Sequence, residues 1–433
     1  MDIAVWEILD NHDIYELSIN IMVKRRYVKD KINRLLEMFP AVALIGARQC
    51  GKSTLSKDLR PDWRYYDLEN PGDYQLISDD PTAFFAVHQD SLVIDEVQQY
   101  PELFQVLRGV IDADRGRKGR FLLTGSSSPH IVKAITESLA GRIATVEMGP
   151  FKQGEFYERE ISEVYGLIAE PNTRVGDFDQ LRPVVEPLES ARVWFQGGFP
   201  EALIESDRDQ DFLPQWQENY IANYIARDIR ALFPKLKIHN FRRFLTLLAQ
   251  FSGHQLNMSE MARALEISVS TIKDYLDIIH HTFIWRNLPS YSRDSLKKVQ
   301  KAPKGFFRDQ GLLHFFLKIG ELDQLLLHPV AGFSFESFVI EEIIRGLQTT
   351  MATGLEFCYY RTIDKSEVDL IVEGRFGVVP IEIKLGSVIK RYSLRSLEAF
   401  LDARQCPFGI FVNRAPRVER LTDRIIQIPV HYL

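Results

Sequence analysis

Apolar residues along this chain fall into two arrangements: compact runs bounded by turn residues, and stretches in which they recur at helical spacing. The run Ala41 to Ile45 reads as a buried strand that leads into a Gly-rich turn, and further strands are predicted over 64–68, 91–95 and 120–124. Helical patterns separate these runs, and such alternation predicts an α/β fold with a parallel sheet. Upstream, Lys24, Arg25, Arg26, Lys29, Lys31 and Arg34 lie among Val28, Ile32, Leu35 and Leu36, the spacing of a short basic helix with one apolar face. Residues 1–21 carry no clear period. Residues 161–190 are rich in acids and prolines and read as a solvated connection or insertion. Helical patterns fill 191–236 and 238–285, and a hairpin is expected near 283–307. From about 330 the pattern returns to mixed α/β, with a helix over 334–347 and strands near 356–361, 367–373 and 378–384.

Composition narrows the class. At ~150 residues per domain, 433 residues predict two to four domains. A hydrophobic share of 45% and a charged share of 26% are those of ordinary globular cores. The net charge of −6 excludes a chain that is basic overall, so any nucleic-acid contact must come from local patches. Cys50, Cys358 and Cys406 are too scattered for a disulfide scaffold or a zinc finger. No apolar run reaches the ~18 residues of a membrane span, and no signal-peptide core opens the chain, so a soluble, cytoplasmic protein is expected.

The strongest chemical signal is Gly46-Ala47-Arg48-Gln49-Cys50-Gly51-Lys52-Ser53, after an apolar strand and opening a helix through Thr54 and Leu55. It fits the phosphate-binding loop, G-x-x-x-x-G-K-[ST]. Glycines let the backbone curl so that its N–H groups face phosphate oxygens, and the helix N-terminus adds partial positive charge. Lys52 is then expected to reach the β- and γ-phosphates and the Ser53 hydroxyl to ligate Mg²⁺. Downstream, Leu92-Val93-Ile94-Asp95-Glu96 suits a buried strand ending at the nucleotide, with Asp95 holding the metal shell and Glu96 activating water. A strand capped by two solvated acids is the plainer alternative. Phe121 to Thr124 followed by Gly125-Ser126-Ser127-Ser128 places Thr124 or Ser126 as a polar sensor, against a simple Ser-rich turn. Arg142, and Arg48 inside the loop, are the arginines proposed to meet transition-state charge; an exposed or bracing arginine is the alternative for each.

These residues resemble a widespread family of predicted bacterial and archaeal ATPases of the AAA+ superfamily, over about Val23 to Leu385. The resemblance is carried by Gly-x-Arg-Gln-x-Gly-Lys at 46–52, the acidic strand at 92–96, Leu-Thr-Gly-Ser at 123–126 and Leu-x-Gly-Arg at 139–142. Further similar phrases are Gly-Gly-x-Pro-Glu at 197–201, Tyr-Ile-Ala-Arg-Asp-Ile at 224–229 and Phe-Arg-Asp-x-Gly-Leu at 307–312. Members of the family begin near Met22, so residues 1–21 depart from it, as a wrongly chosen upstream start would. The resemblance implies nucleotide-dependent conformational work and leaves the substrate open.

Two further patterns carry chemistry. Residues 259–281 have helix-turn-helix spacing, with Ser259 as a cap, a turn at Glu266–Ser268, and a wing formed by 283–300. Lysines 297, 298, 301 and 304 lie close together and could meet phosphates, whereas Asp274 and Asp277 on the reading helix would repel DNA. In the C-terminal part, Glu336 lies on an amphipathic helix, Asp369 begins an apolar run, and Glu382 and Lys384 leave the same face of one strand. Two carboxylates and a lysine on adjacent strands could hold Mg²⁺ and polarise water. This resembles the restriction-endonuclease-like PD-(D/E)xK arrangement, in which Asp369, Glu382 and Lys384 would take the metal and lysine positions and Glu336 the helix acid. A nuclease-like fold used only for binding, or a surface Glu–Lys pair, is the alternative.

The reading is an ATP- and Mg²⁺-using AAA+-type ATPase. Its expected parts are an extension (1–21), a P-loop parallel-sheet domain (22–160), an acidic connection (161–190) and a helical lid region (191–236). A winged-helix module (237–305) and a restriction-endonuclease-like α/β domain (306–433) follow. Alternatives are an ATP-gated, Mg²⁺-dependent DNA nuclease and a non-hydrolysing DNA-binding regulator or scaffold. DNA, an unidentified protein and further copies of the chain are the candidate partners besides nucleotide; no membrane is expected.

Overall fold

The computed structural model describes residues 24–126, 138–224, 229–230, 233, 236–292, 302–362 and 366–433. The extension 1–21, lysines 297 and 298 of the expected wing, Lys301 just beyond it, and most of the 224–229 phrase lie outside the described residues.

Five strands, β1 (Ala41–Gly46), β2 (Arg64–Asp67), β3 (Leu92–Asp95), β4 (Phe121–Ser126) and β5 (Ile143–Met148), form a parallel sheet in the order β2-β3-β4-β1-β5. Strand pleating explains the apolar runs. Val42 and Leu44 of β1 join one core with Val93, Leu122 and the basic helix Val28–Met38, while Ala41 and Ala43 join another with Ile94, Leu123 and the helix Leu103–Ala113. Because β1, β3 and β4 are adjacent and parallel, the P-loop, Asp95-Glu96 and Ser126 all leave from the same carboxyl edge, where α/β sheets bind ligands. β5 is a strand without a sequence signal: its polar Thr145 and Glu147 break the apolar run that marks the other strands.

The segment 161–190 differs from its reading as a solvated connection. Val164, Tyr165, Ile168, Val175 and Phe178 pack into the same core as Phe335, Ile343 and Ile428 of the C-terminal region, and the acids occupy the outer positions between them. Composition averaged over the segment hid this alternation.

The helices Ile238–Gln250, Met258–Leu265 and Val269–His281 are interleaved with β6 (His254–Gln255), β7 (Trp285–Leu288) and β8 (Lys304–Phe307). The strands make an antiparallel sheet in the order β6-β8-β7. Asn257, not Ser259, caps the second helix, accepting from the Glu260 N–H at 3.2 Å, and Ser268 caps the third, accepting from the Thr271 N–H at 3.1 Å.

The C-terminal sheet contains β9 (Glu356–Arg361), β10 (Glu367–Gly374), β11 (Gly377–Ile383), β12 (Gly409–Asn413), β13 (Glu419–Arg420) and β14 (Ile425–Pro429), in the order β13-β14-β12-β11-β10-β9. β9, β10 and β11 are antiparallel, and β11, β12 and β14 parallel. The helix Ala331–Thr349 is buried on nearly every side, so Glu336, Glu341 and Glu342 are interior acids rather than the polar face of an amphipathic helix. Two of the resemblance phrases meet in space. Asp309 accepts from the Gly198 N–H at 2.7 Å and the Leu312 N–H at 3.0 Å. At Gly311, a Cβ would stand 2.1 Å from the Gln196 carbonyl oxygen, so glycine is required by close approach.

Candidate functional site

The loop between β1 and the helix Lys52–Leu59 is shaped by two glycines. A Cβ at Gly46 would lie 2.0 Å from the Met148 carbonyl oxygen on β5, and Gly51 has φ +96°, the left-handed turn into the helix. Lys52 is only 4% exposed, and its Nζ donates to the carbonyls of Gly46 at 3.2 Å and Ala47 at 2.8 Å. The ammonium therefore sits within the curl of the loop. Cys50 is buried below it, Gln49 is exposed with φ +58°, and Thr54 is exposed in the first helical turn. Arg48 points away to Glu69, 3.9 Å distant. Arg26, read only as part of a basic helix, clamps the loop from outside. It donates to Cys50 O at 2.7 Å and Gly149 O at 2.6 Å, and its Nε lies 3.2 Å from Glu155.

On the neighbouring strand Asp95 is 1% exposed and accepts hydrogen bonds from the Ser53 hydroxyl and the Tyr65 phenol. Burial raises its pKa above the ordinary carboxylate range, against the lowering effect of those two donors. Glu96 follows in the left-handed region, φ +55°, which turns its side chain toward β4. There its carboxylate accepts from the Ser126 hydroxyl at 3.1 Å and from the Gln98 amide, which also donates to Ser126 Oγ at 2.9 Å. Ser126 rather than Thr124 reaches the edge; Thr124 is fully buried. Gln98 had no motif to announce it, because its contact depends on the short helical turn Val97–Gln99. The donor set fits a nucleoside triphosphate with Mg²⁺: an ammonium inside a curled loop, and a hydroxyl beside a carboxylate, the hard oxygen donors Mg²⁺ takes a few of.

Arg142 is not brought to this site. It precedes β5, whose Ile143 pairs with Ala41 at the start of β1, whereas the loop leaves from Gly46 opposite Met148. Five residues of strand put it about 16 Å away along the sheet. There it forms two 2.8 Å bonds with Asp112, which hold that carboxyl below its usual range.

A second cluster lies in the C-terminal sheet. Lys384 Nζ stands 3.1 Å from Asp369 and 2.5 Å from Glu382, and Asp369 also accepts from the Ile383 N–H at 2.8 Å. The β9–β10 register shifts between Val368 and Ile371, a bulge that re-aims the side chains around Asp369. Glu336 joins from the long helix, so all four expected residues converge. A fifth was misread: Lys304, expected to face phosphates, is buried, 2.5 Å from Glu336 and 3.1 Å from Glu367. Burial, then the neighbouring Asp369, pushes Glu336 up to about 7 and Glu382 well above its ordinary value. Burial alone would lower both lysines, yet the surrounding carboxylates carry both upward. Among the described residues no group of three or more His, Cys, Asp or Glu side chains is placed to hold a metal ion. As they stand, these carboxylates are held by two ammonium groups instead.

Between the two clusters runs a buried ionic network that no motif in the sequence announces. Glu147 of β5 and Glu341 of the long helix share Arg286 and Arg308, and Arg345 joins Glu341 at 3.5 Å. Burial alone raises Glu341, yet Arg286 and Arg308 carry it down to about 2. Acids set inside apolar runs, Glu147 between Val146 and Met148 and the Glu341-Glu342 pair between Ile340 and Ile343, were the available signal. In the middle module, a cleft of about 1020 Å³ is lined by Lys237, Glu266, Thr271, Asp274, Asp277 and His281, so the third helix presents acids there.

Residues 38–157 match the family model described as "AAA domain", 189–323 "Domain of unknown function (DUF8612)", and 331–433 "Domain of unknown function (DUF4143)". Among solved structures, the Walker-type ATPase paby2304 of Pyrococcus abyssi is similar at 15% identity and a TM-score of 0.44, over 68% of this chain and 96% of that one. The uncharacterized proteins Mb2031c of Mycobacterium bovis and Rv2008c of Mycobacterium tuberculosis are each 30% identical over 427 residues, covering 97% of this chain and 87% of theirs. With that identity along nearly its whole length, the chain belongs to the family of these two mycobacterial proteins, and its parallel P-loop sheet is the AAA domain of that family.

Proposed function

We propose that the chain binds ATP at the P-loop edge and hydrolyses it. The carrying observation is that Ser53 meets Asp95 while Glu96 meets Ser126, on three adjacent strand ends. Lys52 turns from its loop carbonyls to phosphate, the loop N–H groups hold the phosphate oxygens, Ser53 and Asp95 hold the metal shell, and Glu96 orients the attacking water. Mg²⁺, when bound, neutralises phosphate charge. Ser126 and Gln98 register whether Glu96 is engaged, and the Glu147–Arg308–Glu341 network offers a route from β5 to the C-terminal helix. The test is nucleotide turnover with and without DNA, on wild type and Glu96→Gln; equal rates in the two proteins would remove Glu96 from this role. Turnover near zero in wild type, with ATP bound, would favour the non-hydrolysing switch. Since Arg142 faces away from its own chain's nucleotide edge, a role for it requires a second copy.

DNA is the substrate we propose for the remainder. The order helix, strand, two helices, two strands over 238–307 is that of a winged helix, which supports the reading, while Asp274 and Asp277 oppose docking through the third helix. The convergence of Glu336, Asp369, Glu382 and Lys384 on a helix and two strands favours a restriction-endonuclease-like domain. Incubation with duplex and single-stranded DNA plus Mg²⁺ or Mn²⁺ tests it: cleavage lost in Lys384→Ala, with ATPase activity kept, supports a nuclease, and no cleavage in any nucleotide state leaves a binding surface. We place the work in the cytoplasm, where the three buried free thiols stay reduced.

A further inference from the structure

Asp95 is held at both of its oxygens. Oδ1 accepts from the Glu96 N–H at 3.1 Å, and Oδ2 accepts from the phenol of Tyr65, a residue that belongs to no motif. Tyr65 lies on β2 beside Val93 of β3, and Asp95 stands two residues further along β3, so the two side chains leave the same face of the sheet. The long tyrosine side chain covers that offset toward the carboxyl edge. Its ring is braced from the helix Lys52–Leu59, where the Lys57 ammonium stands 4.3 Å from the ring centroid. The phenol also meets the Ser53 hydroxyl, and having given its one proton to Asp95 it accepts there. One phenol oxygen thus touches both of the groups that the loop and β3 bring to the metal shell.

We propose that Tyr65 is a positioning residue for Mg²⁺: its phenol holds the Asp95 carboxylate beside the Ser53 hydroxyl in the one arrangement in which both serve the ion that arrives with nucleotide. The inference rests on reading the P-loop edge as an ATP and Mg²⁺ site. In such sites Mg²⁺ is bound through one or two protein donors plus substrate phosphates, and it demands near-ideal octahedral placement of them. A carboxylate free to turn about its last bond offers such a donor only part of the time. Tyr65 removes that freedom without competing for the ion. Each carboxylate oxygen carries about two lone pairs, so Oδ2 keeps one after accepting from the phenol, and the phenol is neutral, so no charge repels the cation. Partners that orient a ligating group in this way are worth about 10–100-fold in metal affinity.

Calorimetric titration of the full chain with adenylyl imidodiphosphate, an ATP analogue that is not hydrolysed, in EDTA and at rising Mg²⁺ tests this. In the wild type, Mg²⁺ should tighten binding. Tyr65→Phe keeps the ring and its packing against Lys57. It should need about tenfold or more Mg²⁺ for half of that gain, while affinity in EDTA changes by less than about twofold. A role in packing alone would weaken binding equally in both conditions. Tyr65→Phe added to Asp95→Ala should shift the Mg²⁺ requirement no further than Asp95→Ala alone, because the phenol acts through that carboxylate. An unchanged or lowered Mg²⁺ requirement in Tyr65→Phe, or an equal loss in EDTA, would overturn the proposal; a raised requirement in Asp95→Ala would then still uphold the metal reading of the site. Binding that ignores Mg²⁺ in both the wild type and Asp95→Ala, or no nucleotide binding at all, would overturn both.

Discussion

Arg308 Nη2 lies 2.5 Å from Glu147 Oε1, and this pair joins the edge strand of the P-loop sheet to a residue just past β8. Neither side chain is near the nucleotide edge's own motif residues in sequence, yet with Arg286, Glu341 and Arg345 they form an ionic contact between the AAA domain and the C-terminal helix, beside the buried Lys152–Glu342 pair at 2.8 Å. Charges buried this deeply are balanced only as a set.

Removing one member should therefore cost more than a surface ion pair. Glu341→Gln leaves Arg286 and Arg308 sharing one acid, Glu147, takes from Arg345 the carboxylate 3.5 Å away, and should destabilise the chain by about 3–5 kcal/mol. Urea denaturation monitored by tryptophan fluorescence measures it; a loss below about 1 kcal/mol, the range of an exposed pair, would show the network is not coupled as described.

Lys52 and Glu96 should fail differently. Lys52→Ala removes a charge that contacts nucleotide throughout, so ATP affinity should fall. Glu96→Gln keeps the shape and loses the base-like carboxylate, so ATP should bind and persist while turnover drops ~10²-fold or more. Filter binding and single-turnover hydrolysis separate the two.

Gly46→Ala tests the close approach of β1 and β5. With a Cβ forced to 2.0 Å from Met148 O, the strands must part. Loss of nucleotide binding and a stability cost of about 1–3 kcal/mol are expected, as for other overpacked interiors. Normal ATP affinity in a folded Gly46→Ala protein would show that the loop tolerates the shift.

The acids also set opposite pH dependences. Glu341, held down at about 2 from an ordinary 4.5, contributes stability that is complete above 4.5 and is lost as pH falls toward 2. Glu336, pushed up to about 7 from the same 4.5, does the reverse: the folded state binds its proton more tightly, so stability falls as pH rises from 4.5 through 7. Glu336→Gln should abolish that second loss, flattening stability between pH 5 and 8 by up to about 3 kcal/mol. Denaturant midpoints across this range check both signs.

The sequence by itself determined the P-loop, the strand–helix alternation and four residues of the C-terminal cluster, Glu336, Asp369, Glu382 and Lys384. Each of these depends on local pattern: glycine spacing, period of apolar positions, and Glu382 and Lys384 two apart on a strand. Buried strands β1, β3 and β4 are legible because both their faces are apolar. The tertiary structure alone decided where the charges go. Lys304 and Arg142 each lie in plausible local settings, one among lysines and one in a Gly-Arg phrase; register and strand order send the first inward to Glu336 and the second to the wrong end of the sheet. Acids 161–190 looked like solvent until their alternate apolar residues found the C-terminal core. Ion pairing over more than a hundred residues, as between Glu147 and Arg308, has no local signature, because the energy that selects it is the burial of both partners together.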